Sequence, residues 1–375
     1  MDNYYISFVV ATRNDDHGGN MNKKNQFFID KWAYVTSKFN LPCELIIIDW
    51  NPPHEKEDLK NIIKYPKVNS NQSIRVIKVP EKFHEEYKTS KQLNFYQMQA
   101  KNVGIRRARG QFILCTNIDI VFSEEMIKYL SKKSLDEKKI YRTDRYDIDF
   151  DLFDNSNNDT NFFMNYCTGI HKKNYSINLK TNEKYYIYRS IGKTIYEEIF
   201  LNIYNSLINI KKKDRSRLIY RPFLFIIKLF TKFPRLLIDL YSQISNLIKV
   251  KSIPELHTNG CGDFTLASKK IWEDCEGYYE FDGYSFFIDS LFLYYAYYKG
   301  YITTEINNKI FHINHSQGFI AGSDDLFKSL RERNIPYINF NLFLKYIDLY
   351  KKNKNYLSQK KEWGLKDKIL DEFKI

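Results

Sequence analysis

The sequence predicts an α/β fold built on a largely parallel sheet with helices against its faces. Three observations carry this expectation. Short β-rich apolar runs alternate with amphipathic stretches in the first part of the chain; two runs, Phe8-Val9-Val10 and Leu45-Ile46-Ile47-Ile48, are apolar without a break; and the residues just after the runs are polar. Strand and helix alternating at this spacing is the pattern of βαβ units. Unbroken apolar runs suit strands covered on both faces, as central parallel strands are.

In chain order, strands are expected over Tyr4 to Val10, Glu44 to Asp49, Ile74 to Val79 and Phe112 to Cys115, with amphipathic stretches over 22–39, 54–65 and 91–108 between them. In such sheets ligands bind beyond the carboxyl ends of the strands. There the chain offers Thr12-Arg13-Asn14-Asp15, Asp49-Trp50-Asn51 and Thr116-Asn117-Ile118-Asp119. Ser123 before Glu124 and Glu125 reads as a helix N-cap with acids in the first turn, which leaves Asp119 on a short loop. A second region resumes near Pro254 with a glycine-containing loop, Gly260-Cys-Gly-Asp-Phe264, that enters a strand. A helix over Ser268 to Glu276 stopped by Gly277, an aromatic helix over Ser285 to Lys299 ended by Gly300, and a strand at His312-Ile-Asn-His315 follow. The expected division is 1–188, a basic insert at 189–251, 252–320, and a helical tail at 321–375.

Hydrophobic residues at 43% and aromatics at 17% of 375 residues suffice for a sizeable core, which excludes a disordered chain. No uncharged apolar run reaches the roughly 20 residues of a membrane span. The nearest, Pro222 to Leu240, is broken by Lys228, Lys232, Pro234 and Arg235. Met1 to Val10 has no basic leader and no cleavage site, so the mature chain is expected to begin at Met1. Five cysteines without a C-x-x-C pair are expected to be reduced thiols in a cytoplasmic protein.

Four segments, taken together and in order, resemble the GT-A glycosyltransferases, specifically inverting enzymes of the family 2 type. They are Val9-Val-Ala-Thr-Arg-Asn14; Ile46-Ile-Ile-Asp-Trp50; Ala100-Lys-Asn-Val-Gly-Ile-Arg-Arg-Ala-Arg-Gly110 leading to Thr116-Asn-Ile-Asp119; and Gly277-Tyr-Tyr-Glu-Phe through Asp289 to Gly300-Tyr301. The match covers about residues 4–145 and 254–318. It implies a GT-A (Rossmann-like) mixed sheet flanked by helices, a nucleotide-sugar donor, a glycan or lipid-linked acceptor, and a divalent metal, Mn²⁺ or Mg²⁺.

Residue by residue, the resemblance gives the nucleotide's base and ribose to Thr12, Arg13, Asn14 and Asp49. Asn102 and Arg106, in the third segment, fall to the donor as well, one arginine of Arg106, Arg107 and Arg109 meeting the diphosphate or an acid of the site. The family's D-x-D pair, which holds the metal, matches Asn117-Ile118-Asp119, so one carboxylate of the usual two is an amide here. Hard oxygen ligands suit such an ion, which offsets charge on a leaving diphosphate. A C-terminal histidine completes the metal site in many of these enzymes. His312 and His315 are three apart; in an extended segment only one faces the site, and His312 is preferred. Asp289 matches the catalytic base, with Ile288 where the family has a second acid. Asp263 lies on the loop that shapes the acceptor pocket. Each also has a plainer reading: Asp49 as a turn starter, Asp119 and Asp289 as helix caps.

The net charge is +13, and residues 189–251 hold 13 Lys and Arg against 4 Asp and Glu. Apolar residues there recur at helical spacing, which predicts amphipathic helices, either a subdomain or an attachment to an anionic membrane surface. Nucleic acid is the less favoured partner. Rival functions are a sugar nucleotidyltransferase, disfavoured because no glycine-rich loop with a lysine follows the first strand, and a binding protein with an inactive α/β domain.

Overall fold

The apolar runs become the centre of the sheet in the computed structural model, which describes residues 4–15, 21–148, 162–186, 253–314, 324–354 and 362–374. Strands β1 (Ile6–Thr12), β2 (Cys43–Trp50), β3 (Gln72–Val79) and β4 (Phe112–Cys115) lie in the order β3-β2-β1-β4, all parallel. Every residue of β1, β2 and β4 is buried, the apolar runs Phe8 to Val10 and Leu45 to Ile48 lying within the first two as central strands require. Helix α1 (Met21–Lys38) joins β1 to β2, and the short α2 (Leu59–Ile62) joins β2 to β3. After β3 come α3 (Glu81–His84) and α4 (Gln97–Arg107), which returns over β2 and β1 to start β4. Gly104 makes that approach feasible, since a Cβ there would stand 2.5 Å from Val9 Cγ1. Because β1 is flanked by β2 on one side and β4 on the other, the direction of winding reverses there, and in open α/β sheets the ends of such strands are where ligands bind.

The rest of the sheet is mixed, as the resemblance implies, while the largely parallel reading holds for β1 to β4. After β5 (Ile120–Phe122) and α5 (Glu124–Ser131), capped by Ser123 Oγ accepting from Met126 N at 3.1 Å, the long β6 (Lys139–Ile148) begins. Antiparallel β7 (Cys167–His171) and β8 (Tyr175–Asn178) extend from it, and β9 (Glu183–Tyr186) leads into a second compact unit. Strand β10 (Thr265–Ser268) inserts antiparallel between β4 and β6. Helix α6 (Lys269–Asp274) follows, capped by Ser268, and Gly277 at φ +67° stands beyond its end. Then come α7 (Ile288–Tyr298) and β11 (Ile302–Ile313), which pairs parallel with β6 and antiparallel with β5. The expected four-residue strand at His312 is thus the end of a 12-residue one.

The tail is helical only in part. Helices α8 (Asp324–Glu332) and α9 (Phe340–Lys352) are followed by β12 (Asp371–Lys374), an antiparallel edge strand on β3. Residues 184–255 form the second compact unit, which takes in the basic segment; the amphipathic helices expected at 189–251 lie outside the described residues. Among the described residues no helix is long and apolar enough to cross a membrane.

Candidate active site

The ends of β1 and β2 make a polar cradle. Thr12 is in register with Asp49, and the backbone N–H of Asn14 donates to Asp49 Oδ1 at 2.9 Å. Asn14 Nδ2 reaches the carbonyl of Glu57 at 2.5 Å, while Arg13 Nε donates to the carbonyl of Asn51 at 2.7 Å and its guanidinium pairs with Asp15. Asn51 itself sits at φ +48°, a conformation asparagine tolerates. Asp49 is only 2% exposed; burial lifts its carboxyl to about 7, against the pull of the Asn14 N–H. The buried Thr12 hydroxyl has no hydrogen-bond partner among the described residues. A carboxyl group and an unused hydroxyl, side by side at a strand end, can receive the hydroxyls of a sugar or ribose.

A denser cluster forms where β4, β6, β11 and the loop before β10 meet. Strand β11 sets His312 level with Asp147 of β6 and Ile120 of β5, so the ring lies between two acids. Its Nε2 is 3.5 Å from Asp119 Oδ2 and its Nδ1 is 3.3 Å from Asp147 Oδ1. Burial disfavours charge on this ring, but Asp119 and Asp147 outweigh it and raise His312 to about 10. Asp147 also meets His171 Nε2 at 2.7 Å and Arg145 Nε at 2.9 Å. Burial works against its ionisation as well; the bonds from His171 and His312 and the charge of Arg145 nevertheless hold it far below the usual carboxylate range.

Arg145 bridges to Asp263, its Nη1 standing 2.6 Å from Oδ2. Asn117 Nδ2 donates to the other oxygen of Asp263 at 2.7 Å, and its amide oxygen accepts from Gln97 Nε2 at 3.0 Å. Asn117 therefore presents its nitrogen to Asp263, and its amide oxygen is turned to Gln97. Beneath them lies Lys101, fully buried, with Nζ donating to the carbonyl of Gly262 at 2.8 Å. Burial lowers its pKa, while the Cys115 thiol and then Asp263, Asp289 and Asp119 act in the opposite sense. Asp289 is the second residue of α7, where a carboxylate suits the helix dipole, and Phe287 at φ +65° turns the chain into that helix. The Gly262 backbone passes so near that an added Cβ would stand 3.0 Å from Asp289 Oδ2.

The fold thus brings together Asn117, Asp119, Asp263, Asp289 and His312, and groups Thr12, Arg13, Asn14 and Asp49 at the neighbouring strand ends. Two predicted donor residues stand elsewhere. Asn102 is fully buried and its amide is spent inside the protein, donating to the Tyr278 carbonyl at 2.7 Å and to Glu280 Oε1 at 3.0 Å and accepting from Tyr278 N at 2.8 Å. Arg106 lies near the carboxyl end of α4, which is the amino end of the strands, and stacks on Trp363 with its guanidinium 4.2 Å from the ring. Arg107 and Arg109 share that location, bonding to the carbonyls of Gly364 and Leu365 and to Glu372. An antiparallel return helix puts its two ends at opposite ends of the sheet, so these arginines serve the C-terminal segment. His315 lies outside the described residues. Lys101, Arg145, Asp147 and His171 went unassigned from sequence; the alternation of charge in Arg142-Thr-Asp-Arg-Tyr-Asp147 was the one available signal.

A second group sits nearby. Asp144, His257 and Glu305 each bring one ligand-type atom within 4.8 Å of the others, an arrangement able to hold a metal ion. Burial, then Arg142 and Lys173, push the His257 ring down to about 2, so it is neutral. Comparison with models of known protein families gives no match for this chain, and comparison with characterised proteins gives no relative.

Proposed function

We propose that this protein is a metal-assisted, inverting glycosyltransferase of GT-A type, moving a sugar from a nucleotide-diphosphate donor to a glycan or lipid-linked acceptor. The observation that carries the reading is the gathering of Asp119, Asp263, Asp289 and His312 around fully buried Lys101 and part-buried Arg145, beside the β1–β4 switch point. In open α/β sheets nucleotides bind outside the carboxyl ends of the strands at a switch point of this kind.

Thr12, Asn14 and Asp49 would receive the nucleoside, with Asp49 accepting from a ribose hydroxyl in place of part of its present bond to Asn14. Asp119 and His312 fit a divalent ion, because an oxygen and an imidazole nitrogen face one another at 3.5 Å and their mutual attraction now depends on a proton on the ring. Such an ion supplies charge compensation to the diphosphate. Asp289 takes the proton of the acceptor hydroxyl, and Asp263, fixed by Arg145 and Asn117, orients the acceptor. The basic segment 189–251 would hold the enzyme at an anionic membrane surface on the cytoplasmic side, close to lipid-linked acceptors.

The test is a thermal-shift screen of UDP, GDP, CMP and dTDP sugars with and without Mn²⁺, followed by calorimetry on the best donor. Ligands that bind only the folded state raise its melting temperature. Donor binding that needs the ion and that Asp119→Ala weakens is expected. No shift with any donor, or equal affinity in excess chelator, sinks the metal-assisted reading.

A further inference from the structure

We infer that Asp144, His257 and Glu305 form a second metal site, separate from the Asp119–His312 pair and selective for a zinc-class transition-metal ion. Along β6, successive side chains point to opposite faces, so Asp144 projects away from Arg145 and Asp147. Glu305 of β11 is level with Arg142 of β6 and shares the Asp144 face. The two clusters therefore occupy opposite faces of one strand pair.

His257 is the telling member. Its side chain is 0% exposed, and neither ring nitrogen has a hydrogen-bond partner among the described residues. Buried polar groups are nearly always satisfied, so an imidazole with two unused nitrogens calls for a ligand. What the ring does face is carboxylate: Nε2 is 4.0 Å from Asp144 Oδ1 and Nδ1 is 3.9 Å from Glu305 Oε2, both too long for a hydrogen bond. Arg142 holds the loop that carries this ring, donating to the carbonyls of His257 and Asn259 at 2.9 Å each.

The donor set decides the metal. One imidazole with two carboxylates suits zinc and its neighbours, whereas calcium and magnesium prefer oxygen throughout. Three protein ligands leave a coordination position open, and Glu305, 45% exposed, lies on the solvent side. Lys172 at 3.7 Å from Asp144 Oδ2 and Lys173 at 3.2 Å from Glu305 Oε1 hold the two carboxylates meanwhile, so a cation must displace ammonium groups to enter. Bound there, it would tie the loop that leads to Asp263 onto β6 and β11. The inference stands independently of the glycosyl-transfer reading, since it draws on none of that site's residues.

The experiment is a titration of the metal-stripped full-length protein with Co²⁺ and Zn²⁺, followed by visible absorption and by equilibrium dialysis. Wild-type protein should show a Co²⁺ d–d band that Zn²⁺ abolishes. His312→Ala, which removes the other candidate ion site, should keep that band, while adding Glu305→Gln or His257→Ala to it should abolish the band, with affinity in the Glu305→Gln arm reduced by at least about tenfold. Glu305 is exposed enough that its substitution leaves folding intact, so a destabilised His257→Ala would not blunt the test. No band in wild-type protein, or an unchanged band when Glu305→Gln is added to His312→Ala, overturns the assignment.

Discussion

Asp49 and Asp147 are the same side chain at two strand positions, 2% exposed in one case and 15% in the other, and their acidities move in opposite directions. Asp49 stands at the end of β2 with a single backbone N–H as its bonded partner, and burial prevails, lifting it to about 7. Asp147 on β6 is met by His171, His312 and Arg145, and these overcome burial to hold it far below the ordinary range. Burial alone therefore says little about a carboxylate's charge; the count of cationic partners decides it. The cradle at the ends of β1 and β2 is electrostatically lean, with an acid bonded to one backbone N–H. The β6–β11 cluster is instead dense in opposite charges, with Asp147 and Asp263 bridged by Arg145 and His312 set between Asp119 and Asp147.

The sharpest break between the regions is catalytic. Asp289→Asn should cut transfer by about 10²- to 10⁴-fold with donor affinity retained, whereas Asp49→Asn should weaken donor binding and leave turnover at saturation near normal. Measuring rate and donor dissociation constant on both variants separates the roles; wild-type turnover in Asp289→Asn removes it from the mechanism.

Next in size is the clamp on the acids. Arg145→Met leaves Asp147 and Asp263 without their shared guanidinium; breaking a fully buried pair costs about 3–5 kcal/mol, and for these part-buried groups a loss near the lower end is expected. A urea melt that shifts by under about 1 kcal/mol would mean that His171 and His312 suffice.

The third comparison is in pH. Asp49 has a folded pKa raised above its unfolded value, so its contribution is complete below about 3.8 and is lost as pH rises through about 7. Asp147 is depressed, so its contribution is present above about 3.8 and is lost as pH falls below that. Urea midpoints of Asp49→Asn should therefore lack the wild-type decline between pH 4 and 8, a difference on the order of 2–4 kcal/mol at the upper end. Asp147→Asn should be destabilised most at neutral pH, and a shared sign in the two variants would undo the contrast.

The smallest expected effect refines the charged β6–β11 region. Asn117→Asp restores the carboxylate that the resemblance lacks, but it turns the 2.7 Å bond to Asp263 into a like-charge contact. Without metal the variant should lose about 1 kcal/mol, and Mn²⁺ should recover more stability in it than in wild type. Thermal melts in chelator and in Mn²⁺ give both numbers.

The sequence by itself determined the local features of this protein. Unbroken apolar runs specified β1, β2 and β4, Ser123 and Ser268 announced two helix starts, and the polar residues after β1, β2 and β4 marked the rim where a ligand would bind. Each of these is set by neighbours along the chain, where period and capping chemistry act. Tertiary structure decided the rest, because it depends on which distant strands share an edge. The insertion of β10 between β4 and β6 carries Asp263 to Asn117, and the pairing of β11 with β5 and β6 slides His312 between Asp119 and Asp147. The return path of α4 spends Asn102 on Tyr278 and sends Arg106 to the far end of the sheet, though both lie in a segment that reads as donor-binding. An acid such as Asp147 looks like any other surface residue until two histidines and an arginine from three strands close around it, and no spacing within one strand records that meeting.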